Sequence, residues 1–421
     1  MNFVFYDLET TGRNATWDQI LQIGAILVDS NFQEIDRFEE RCRLRQGLIP
    51  EPGALIVNKT SVEMLNNVNL SHYQLIKKVY DIFNKWSPAI FIGYNTISFD
   101  EEFLRKTFFK LLLEPYTTQF NGNRRADVLG MSRTSKYYYP ECINVGLNEK
   151  GNQVFKLDVL TQLNDIKHNA HDAMGDVEAT IKIAQILKNK AQNVWQSGLS
   201  NSNTIEVDNF LLKNDVICMD EYFFGKFNSY AVTYVCKNKF NYPQCFDLIH
   251  DPIDYFEMSI KDLKTKMKLK PKFIKEIKNN KNPLLMDESY IEKIPSYKSL
   301  GLNVLKERAE LIKNNIDFKN KKWSGTYTGE WEGIIPELQR RYKQTQSYGI
   351  RRWIESFMST RKCDACIGKR LKESSMHVKI DTENIGELCS RNIEDALQFF
   401  ENFNIIIHKT YGAHPKGGYD E

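Results

Sequence analysis

Near its start the chain carries the stretch F-V-F-Y-D-L-E-T-T-G, Phe3 to Gly12. Side chains alternate along a strand, so Asp7 and Glu9 share one face while Val4, Tyr6 and Leu8 take the other. Two carboxylates held side by side repel each other unless one stays protonated or a cation sits between them. Oxygen-only ligands suit a hard ion such as Mg²⁺ or Mn²⁺. A strand of this kind constrains the rest of the chain, which must bury its apolar residues and bring further ligands to its acidic face.

The segments that follow read as an α/β order. Phe3 to Glu9, Ile20 to Asp29 and Ile35 to Leu44 read as strands, the last two joined by a turn around Ser30, Asn31 and Phe32. A helix with Leu75, Ile76, Val79, Ile82 and Phe83 on one face leads to a buried strand, Ala89 to Tyr94, and then to a helix starting near Asp100. A helical patch begins at Leu157. A stronger helix spans about Asp172 to Lys190, with Ala173, Val177, Thr180, Ile181, Ala184 and Leu187 as its apolar face.

At 421 residues the chain is long enough for two or three domains with their own cores. Trp195 to Thr204 is rich in Gly, Ser and Asn and reads as a linker. Residues 205–250 alternate through Tyr222, Phe224, Tyr230, Val232 and Tyr234, which predicts a small β-rich domain. Helical segments are expected near Ile260 to Ile277 and Gly301 to Lys313, and from about Asn320 the text becomes Arg-rich and helical.

No apolar run reaches membrane-spanning length, and the first strand begins at Asn2 with no room for a signal peptide, so a cytoplasmic protein is expected. Its eight scattered cysteines read as reduced thiols. A net charge of +3, from 57 basic and 54 acidic residues, does not by itself demand a polyanionic partner. The basic residues are unevenly spread: nine lysines between Lys261 and Lys281 are opposed only by Asp262 and Glu276. That run reads as a solvated helix face at least as readily as a phosphate track.

Two further stretches offer ligands. G-Y-N-T-I-S-F-D, Gly93 to Asp100, places Asp100 at a helix start, where free N–H groups favour an anion. H-N-A-H-D-A-M-G-D, His168 to Asp176, places His171 just ahead of the helix that carries Asp176. Taken singly, each has a bland reading: an exposed strand face for Asp7 and Glu9, a helix cap for Asp100, a cap or core histidine for His171, a solvent carboxylate for Asp176.

Together and in order, these stretches, with R-R-A-D-V-L at Arg124 and F-K-L-D-V-L-T at Phe155, resemble the DEDDh 3′-to-5′ exonucleases, and among them the bacterial exonuclease I group. The resemblance implies an RNase H-like α/β domain with a mixed sheet over residues 1–196. Asp7, Glu9, Asp100 and Asp176 would be metal ligands and His171 the general base. Two Mg²⁺ ions are implied, for which Mn²⁺ can substitute. Thr10, Thr11 and the backbone after Glu9 would lie near the terminal nucleotide, with Asn95 orienting the first strand's loop. Asp127, Asp158, Asp172 and His168 are expected to be structural or supporting.

Y-F-F-G-K-F-N-S-Y-A-V at Tyr222, N-P-L-L-M-D at Asn282 and S-L-G-L-N-V-L-K-E-R at Ser299 extend the likeness to an SH3-like β-barrel domain over 205–300 and a helical linker over 301–319. The implied partners are single-stranded DNA and single-stranded DNA-binding protein, with no membrane. The implied reaction is 3′-to-5′ degradation of single-stranded DNA to nucleoside 5′-monophosphates in repair or recombination. The rivals are an oligoribonuclease- or proofreading-type sibling and a non-catalytic damage-binding fusion.

Beyond Asn320 the pattern changes. W-S-G-T-Y-T-G-E-W-E-G-I-I-P-E-L-Q-R-R-Y, F-M-S-T-R-K-C-D-A-C-I-G-K-R-L and N-I-E-D-A-L-Q-F-F-E resemble an internal part of UvrA, the damage-sensing ATPase of excision repair, over about 323–403. The corresponding mainly helical segment is expected at 320–408, with a tail at 409–421. The sequence contains no G-x-x-x-x-G-K-[ST] motif and no Leu-Ser-Gly-Gly, so ATP hydrolysis is not expected. Cys363 and Cys366 form an incomplete pair. A structural zinc site needs four ligands, and only Cys389 and His377 stand nearby in sequence, so no zinc is expected.

Overall fold

The computed structural model of the chain describes residues 1–223, 225–322, 334–345, 347–356, 373–380 and 383–401. They divide between two compact units, one reaching to residue 325 and the other starting at 326.

The first unit opens with β1 (Asn2–Thr10), β2 (Ile20–Val28) and β3 (Glu34–Arg41), followed by short helices α1 (Pro52–Val57) and α2 (Val62–Asn66). Next come α3 (His72–Lys85), β4 (Ala89–Gly93), α4 (Asp100–Lys110), β5 (Arg124–Asp127) and α5 (Val128–Tyr138). The sheet order is β3-β2-β1-β4-β5. β1 pairs antiparallel with β2 and parallel with β4, and β4 pairs parallel with β5, so the sheet is mixed as expected.

A two-stranded ribbon, β6 (Gly146–Leu147) and β7 (Gln153–Val154), precedes α6 (Leu157–Leu163), α7 (Ala173–Lys190), α8 (Gln192–Ser200) and α9 (Thr204–Lys213). All nine residues of β2 are buried, which is why every position but Gln22 is apolar or glycine. The even residues of β1, Val4, Tyr6 and Leu8, pack with Phe83 of α3 and Phe103 of α4. Its odd residues Phe3 and Phe5 face the other layer, with Val177 and Ala184 of α7 and Trp195 of α8. Asp7 and Glu9 continue that second face.

Trp195 to Thr204, expected as a linker, instead holds α8 and the start of α9. Trp195 is 1% exposed and meets the Phe3 ring edge-on at 5.9 Å. Its small polar neighbours suit helix-to-helix approach as well as they suit a loop.

The β-rich region then contains β8 (Ile217–Phe223), β9 (Lys226–Lys237), β10 (Pro243–Asp247), α10 (Ile253–Phe256), α11 (Ile260–Lys266), β11 (Ile274–Glu276) and β12 (Leu285–Met286). These strands form one antiparallel sheet in the order β11-β10-β9-β8-β12. Among the described residues no pairing joins β11 to β12, so the expected barrel is an open sheet here. Its end strands are three and two residues long.

Val207 and Leu211 of α9 pack on this sheet against Ile217, Val232 and Leu285, so the region starts with a helix rather than a strand. The helix expected from Ile260 to Ile277 stops at Lys266. Pro271 lacks an N–H and disfavours helical backbone before it, and the chain resumes as a strand at Ile274.

After α12 (Pro295–Lys298), α13 runs Leu302–Lys322. The second unit contains α14 (Ile334–Gln344), α15 (Tyr348–Glu355), a small β-ribbon of Lys379–Ile380 and Glu383–Asn384, and a helix at Ile393–Glu401. Cys363, Cys366 and the whole 409–421 tail lie outside the described residues. Among the described residues no helix is long and apolar enough to cross a membrane.

Candidate active site

Three carboxylates converge where β1 ends. One ligand oxygen from each of Asp7, Glu9 and Asp176 lies within 4.8 Å of the others. Asp7 stands opposite Gly24 of β2, and that glycine explains how α7 comes so close. A Cβ on Gly24 would sit 2.6 Å from the Met174 amide nitrogen and 2.7 Å from the Ala173 carbonyl carbon. Only a bare Cα lets the first turn of α7, which carries Asp176, lie directly on the strand.

Asp172 fixes the helix start in the same place. It caps α7 by accepting from the Gly175 amide at 3.3 Å, and its Oδ1 accepts from Gln22 Nε2 at 3.0 Å. Gln22 is the register partner of Glu9, so strand and helix are tied together beside the acids.

Asp100 enters from the first turn of α4. It is 3% exposed, and its Oδ1 accepts the Leu8 amide at 3.1 Å. Behind it, Glu101 accepts from Tyr6 Oη at 2.6 Å, Thr118 Oγ1 at 2.8 Å and Arg125 Nη1 at 3.1 Å, which anchors the helix start to the sheet. Asp127 accepts from the amides of Asn95 (2.9 Å), Ile97 (3.2 Å) and Leu129 (3.0 Å), so it holds the turn that leads to Asp100.

Burial, followed by the charges of Asp100, Asp176, Glu9 and Asp172, raises the Asp7 carboxyl well above the usual range. Burial, then Asp176 and Asp172, pushes Glu9 up to about 8, against the smaller opposing pull of Arg41. Asp100 is likewise raised, with burial the largest cause. These acids are short of positive charge, and a bound cation would relieve all of them at once. Their all-oxygen donor set and tight spacing fit Mg²⁺ or Mn²⁺, with Asp7, Glu9 and Asp176 as direct holders and Asp100 beside them.

His168, expected to be supporting, has its Nε2 hydrogen-bonded to Asp176 Oδ1 and its Nδ1 paired with Thr161 Oγ1 at 3.0 Å. His171 is exposed on the loop before α7, with a φ of +64°. The same loop is held by Lys59, whose Nζ donates to the Ala170 carbonyl at 2.9 Å.

The expected substrate contacts Thr10 and Thr11 have their hydroxyls engaged within the turn. Thr10 Oγ1 donates to the Gly12 carbonyl at 2.6 Å. Thr11 Oγ1 donates to Asp18 at 3.1 Å and accepts the Gln19 amide at 2.9 Å. Both hydroxyls serve the turn itself. Asn95 is exposed at a φ of +67°, and among the described residues no hydrogen bond ties its side chain to the first strand's loop. Asp158, in the first turn of α6, is exposed.

Sequence reasoning missed Gly24, Gln22 and Glu101. A lone glycine or glutamine in an apolar strand was the only signal for the first two. Glu101 adjoins Asp100 in a doubly acidic helix start, and only the fold shows that one faces the site and the other faces the core.

Residues 4–184, which hold the mixed sheet and the converging acids, match the family model described as Exonuclease. More particularly, the chain is 37% identical over 200 residues to exodeoxyribonuclease I of Buchnera aphidicola subsp. Schizaphis graminum, covering 46% of this chain and 41% of that protein. The exonuclease relatives are thus matched over less than half of their own length. Residues 307–356 match the UvrA DNA-binding domain model. The UvrABC system protein A of Mycoplasmopsis pulmonis is 40% identical over 95 residues, 22% of this chain and 10% of that protein. The fold is that of E. coli exonuclease I solved in complex with a dA16 oligonucleotide, at a TM-score of 0.62 and 21% identity over 87% of this chain and 84% of that one. A further match of the same kind is an ExoI/SSB-Ct complex.

Proposed function

We propose that the chain is a 3′-to-5′ exodeoxyribonuclease that degrades single-stranded DNA to nucleoside 5′-monophosphates in DNA repair or recombination, working in the cytoplasm. The observation that carries this is the convergence of Asp7, Glu9 and Asp176 oxygens within 4.8 Å, next to buried Asp100. Two divalent ions held there would stabilise the attacking and leaving oxygens of a phosphodiester.

The remaining chemistry belongs to the side chains. His171 acts as general base, taking a proton from the attacking water on an imidazole nitrogen, and its exposed loop leaves it free to meet an incoming strand end. His168 orients Asp176 through the bond between them, the usual role of a group that contacts a ligand from behind. The open five-stranded sheet takes the place of the SH3-like domain. With the exposed Lys268, Lys270 and Lys272 it offers phosphate contacts to a single strand. Single-stranded DNA-binding protein is the second partner we infer, by likeness to the exonuclease I complexes.

The second reading, a damage-binding fusion without catalysis, is favoured by the match of residues 307–356 to a DNA-binding domain. One experiment separates the two. Single-stranded DNA, duplex DNA and RNA, each labelled at the 5′ end, are incubated with Mg²⁺ or with EDTA. Ladders that shorten from the 3′ end of single-stranded DNA in Mg²⁺ alone support the nuclease. Retention of duplex DNA without any cleavage supports the fusion reading.

A further inference from the structure

A cavity of about 790 Å³ lies on the first unit between the loop after β3, the start of α3 and the end of α4, and none of its lining residues is among the carboxylates of the active site. Arg43, Arg45, His72 and Lys110 line it. None of the three cations is in an ion pair with a carboxylate among the described residues: Arg43 and Lys110 donate to backbone carbonyls, and Arg45 makes one long contact to the Trp17 carbonyl at 3.4 Å.

The acid on the wall, Asp18, is already engaged. Its oxygens accept from Thr11 Oγ1 at 3.1 Å and from the Asn14 amide at 2.8 Å.

The imidazole Nε2 of His72 is buried with no hydrogen-bond partner. Burial, then the charges of Arg45 and Lys110, pushes this histidine down to about 4. Lys110 is lowered too, by burial and then by Arg45 and Lys106. The cavity therefore gathers positive charges that repel one another. It also lies at the start of α3, a 14-residue helix whose N-terminal end adds a positive dipole, with the Ser71 and Gln74 amides already held in a capping box. The opposite character is present on the same wall: Tyr73, 58% exposed, and Val62, 43% exposed, offer an apolar and aromatic surface.

We propose that this cavity binds a mononucleotide, with its phosphate on Arg45, Lys110 and the start of α3 and its base against Tyr73. The volume lies within the range of small-ligand sites, and cations facing an aromatic wall suit a ligand with a dianionic end and a flat end. The site is separate from the proposed catalytic centre and does not depend on it.

The test is equilibrium dialysis of the full chain, in EDTA, against deoxyadenosine 5′-monophosphate, inorganic phosphate and deoxyadenosine. The nucleotide is expected to bind at one site, more tightly than either fragment, and equally well to the Asp7→Ala variant. Arg45→Gln should weaken binding about tenfold, the effect of one charge-assisted hydrogen bond, and Tyr73→Ala should weaken it by about threefold. Circular dichroism of each variant shows whether the fold survives; Arg45→Gln keeps the main-chain bond from the Arg45 amide to Gln19 Oε1. Three results would overturn the proposal: no binding, binding unchanged by both substitutions, or binding lost in Asp7→Ala, which would put the nucleotide in the carboxylate centre. Phosphate alone binding as tightly as the nucleotide would overturn the role given to Tyr73.

Discussion

The two five-stranded sheets of the first unit both bury carboxylates, and they treat them in opposite ways. In the antiparallel sheet, Asp247 accepts from Tyr297 Oη at 2.6 Å and lies 3.9 Å from Lys275, while Asp220 accepts from Tyr138 Oη at 2.9 Å. Each acid there has a hydroxyl donor on a neighbouring element, although Asp220 Oδ2 is left without a partner and burial pushes that carboxyl up to about 7. In the mixed sheet, Asp7, Glu9 and Asp176 face one another, and the largest electrostatic influence on each of Asp7 and Glu9 is another acid. A buried carboxylate with its own hydroxyl holds a fold together. One whose neighbours are carboxylates strains the fold and is there for something the fold does not supply.

The largest effect should come from removing one acid from each sheet. Asp7→Ala or Asp176→Ala should reduce cleavage of single-stranded DNA in excess Mg²⁺ to background while the melting temperature holds or rises, because repulsion is relieved. Asp247→Ala should do the reverse, keeping the rate per folded molecule and lowering stability by about 1–3 kcal/mol as Tyr297 loses its buried acceptor. Unchanged turnover in Asp7→Ala, or a strong rate loss in Asp247→Ala, would erase the distinction between the sheets.

Next in size are the two histidines. His171→Ala should slow cleavage by roughly two to four orders of magnitude, the usual share of a general base, and His168→Ala by about tenfold to a hundredfold, the usual share of a group that orients a ligand. Single-turnover rates measured side by side decide it. If His168→Ala is the slower enzyme, the hydrogen bond to Asp176 marks His168 as the base.

Much of this contrast was legible in the sequence, for reasons that differ by element. β1, β2 and β4 are strands covered on both sides or nearly so, and their apolar runs with Asp7 and Glu9 in phase left little choice of structure. Asp100 and Asp176 were readable because each opens a helix. The linker expected around Trp195 was wrong because Ser197, Gly198 and Ser200 belong to α8 and Asn203 caps α9, and composition does not separate close helix packing and capping from looseness. The helix expected to Ile277 failed at Pro271, where a regular lysine spacing outweighed a single backbone rule. Spacing along the chain shows neither the bond from His168 to Asp176 nor the one from His168 to Thr161, since both depend on how the loop before α7 folds back on α6.

A smaller effect is expected from Gly24→Val. The new side chain would collide with the backbone of Ala173 and Met174, so α7 must shift. A stability loss of about 1–3 kcal/mol is expected from overpacking. The rate should fall about tenfold or more as Asp176 moves, since small misplacements of a catalytic group are costly. Cleavage at the wild-type rate would show that Asp176 reaches the site without the close approach at Gly24.

The smallest effect concerns pH. Glu9 binds its proton up to about 8 when folded, far above an unfolded glutamate, so between about pH 4.5 and 8 the folded chain holds a proton that the unfolded chain has lost. In EDTA, stability should therefore fall as pH rises through that window, by a few degrees in melting temperature. Excess Mg²⁺ should flatten the decline, and Glu9→Gln should lessen it without metal, leaving the share of Asp7 and Asp100. A melting temperature that declines equally in Glu9→Gln would assign the effect to other groups.

The contact between α7 and Gly24 also sets a timetable for the living cell. Asp7 and Asp176 are 169 positions apart, so at about 5–20 residues per second the ribosome delivers the second roughly ten to thirty seconds after the first. During that interval the emerging chain displays the acidic strand but has no fourth wall to its cleft. On the function proposed above, cleavage would have to wait until α7 has been made and docked, because Asp176 is the last of the three converging acids to leave the ribosome.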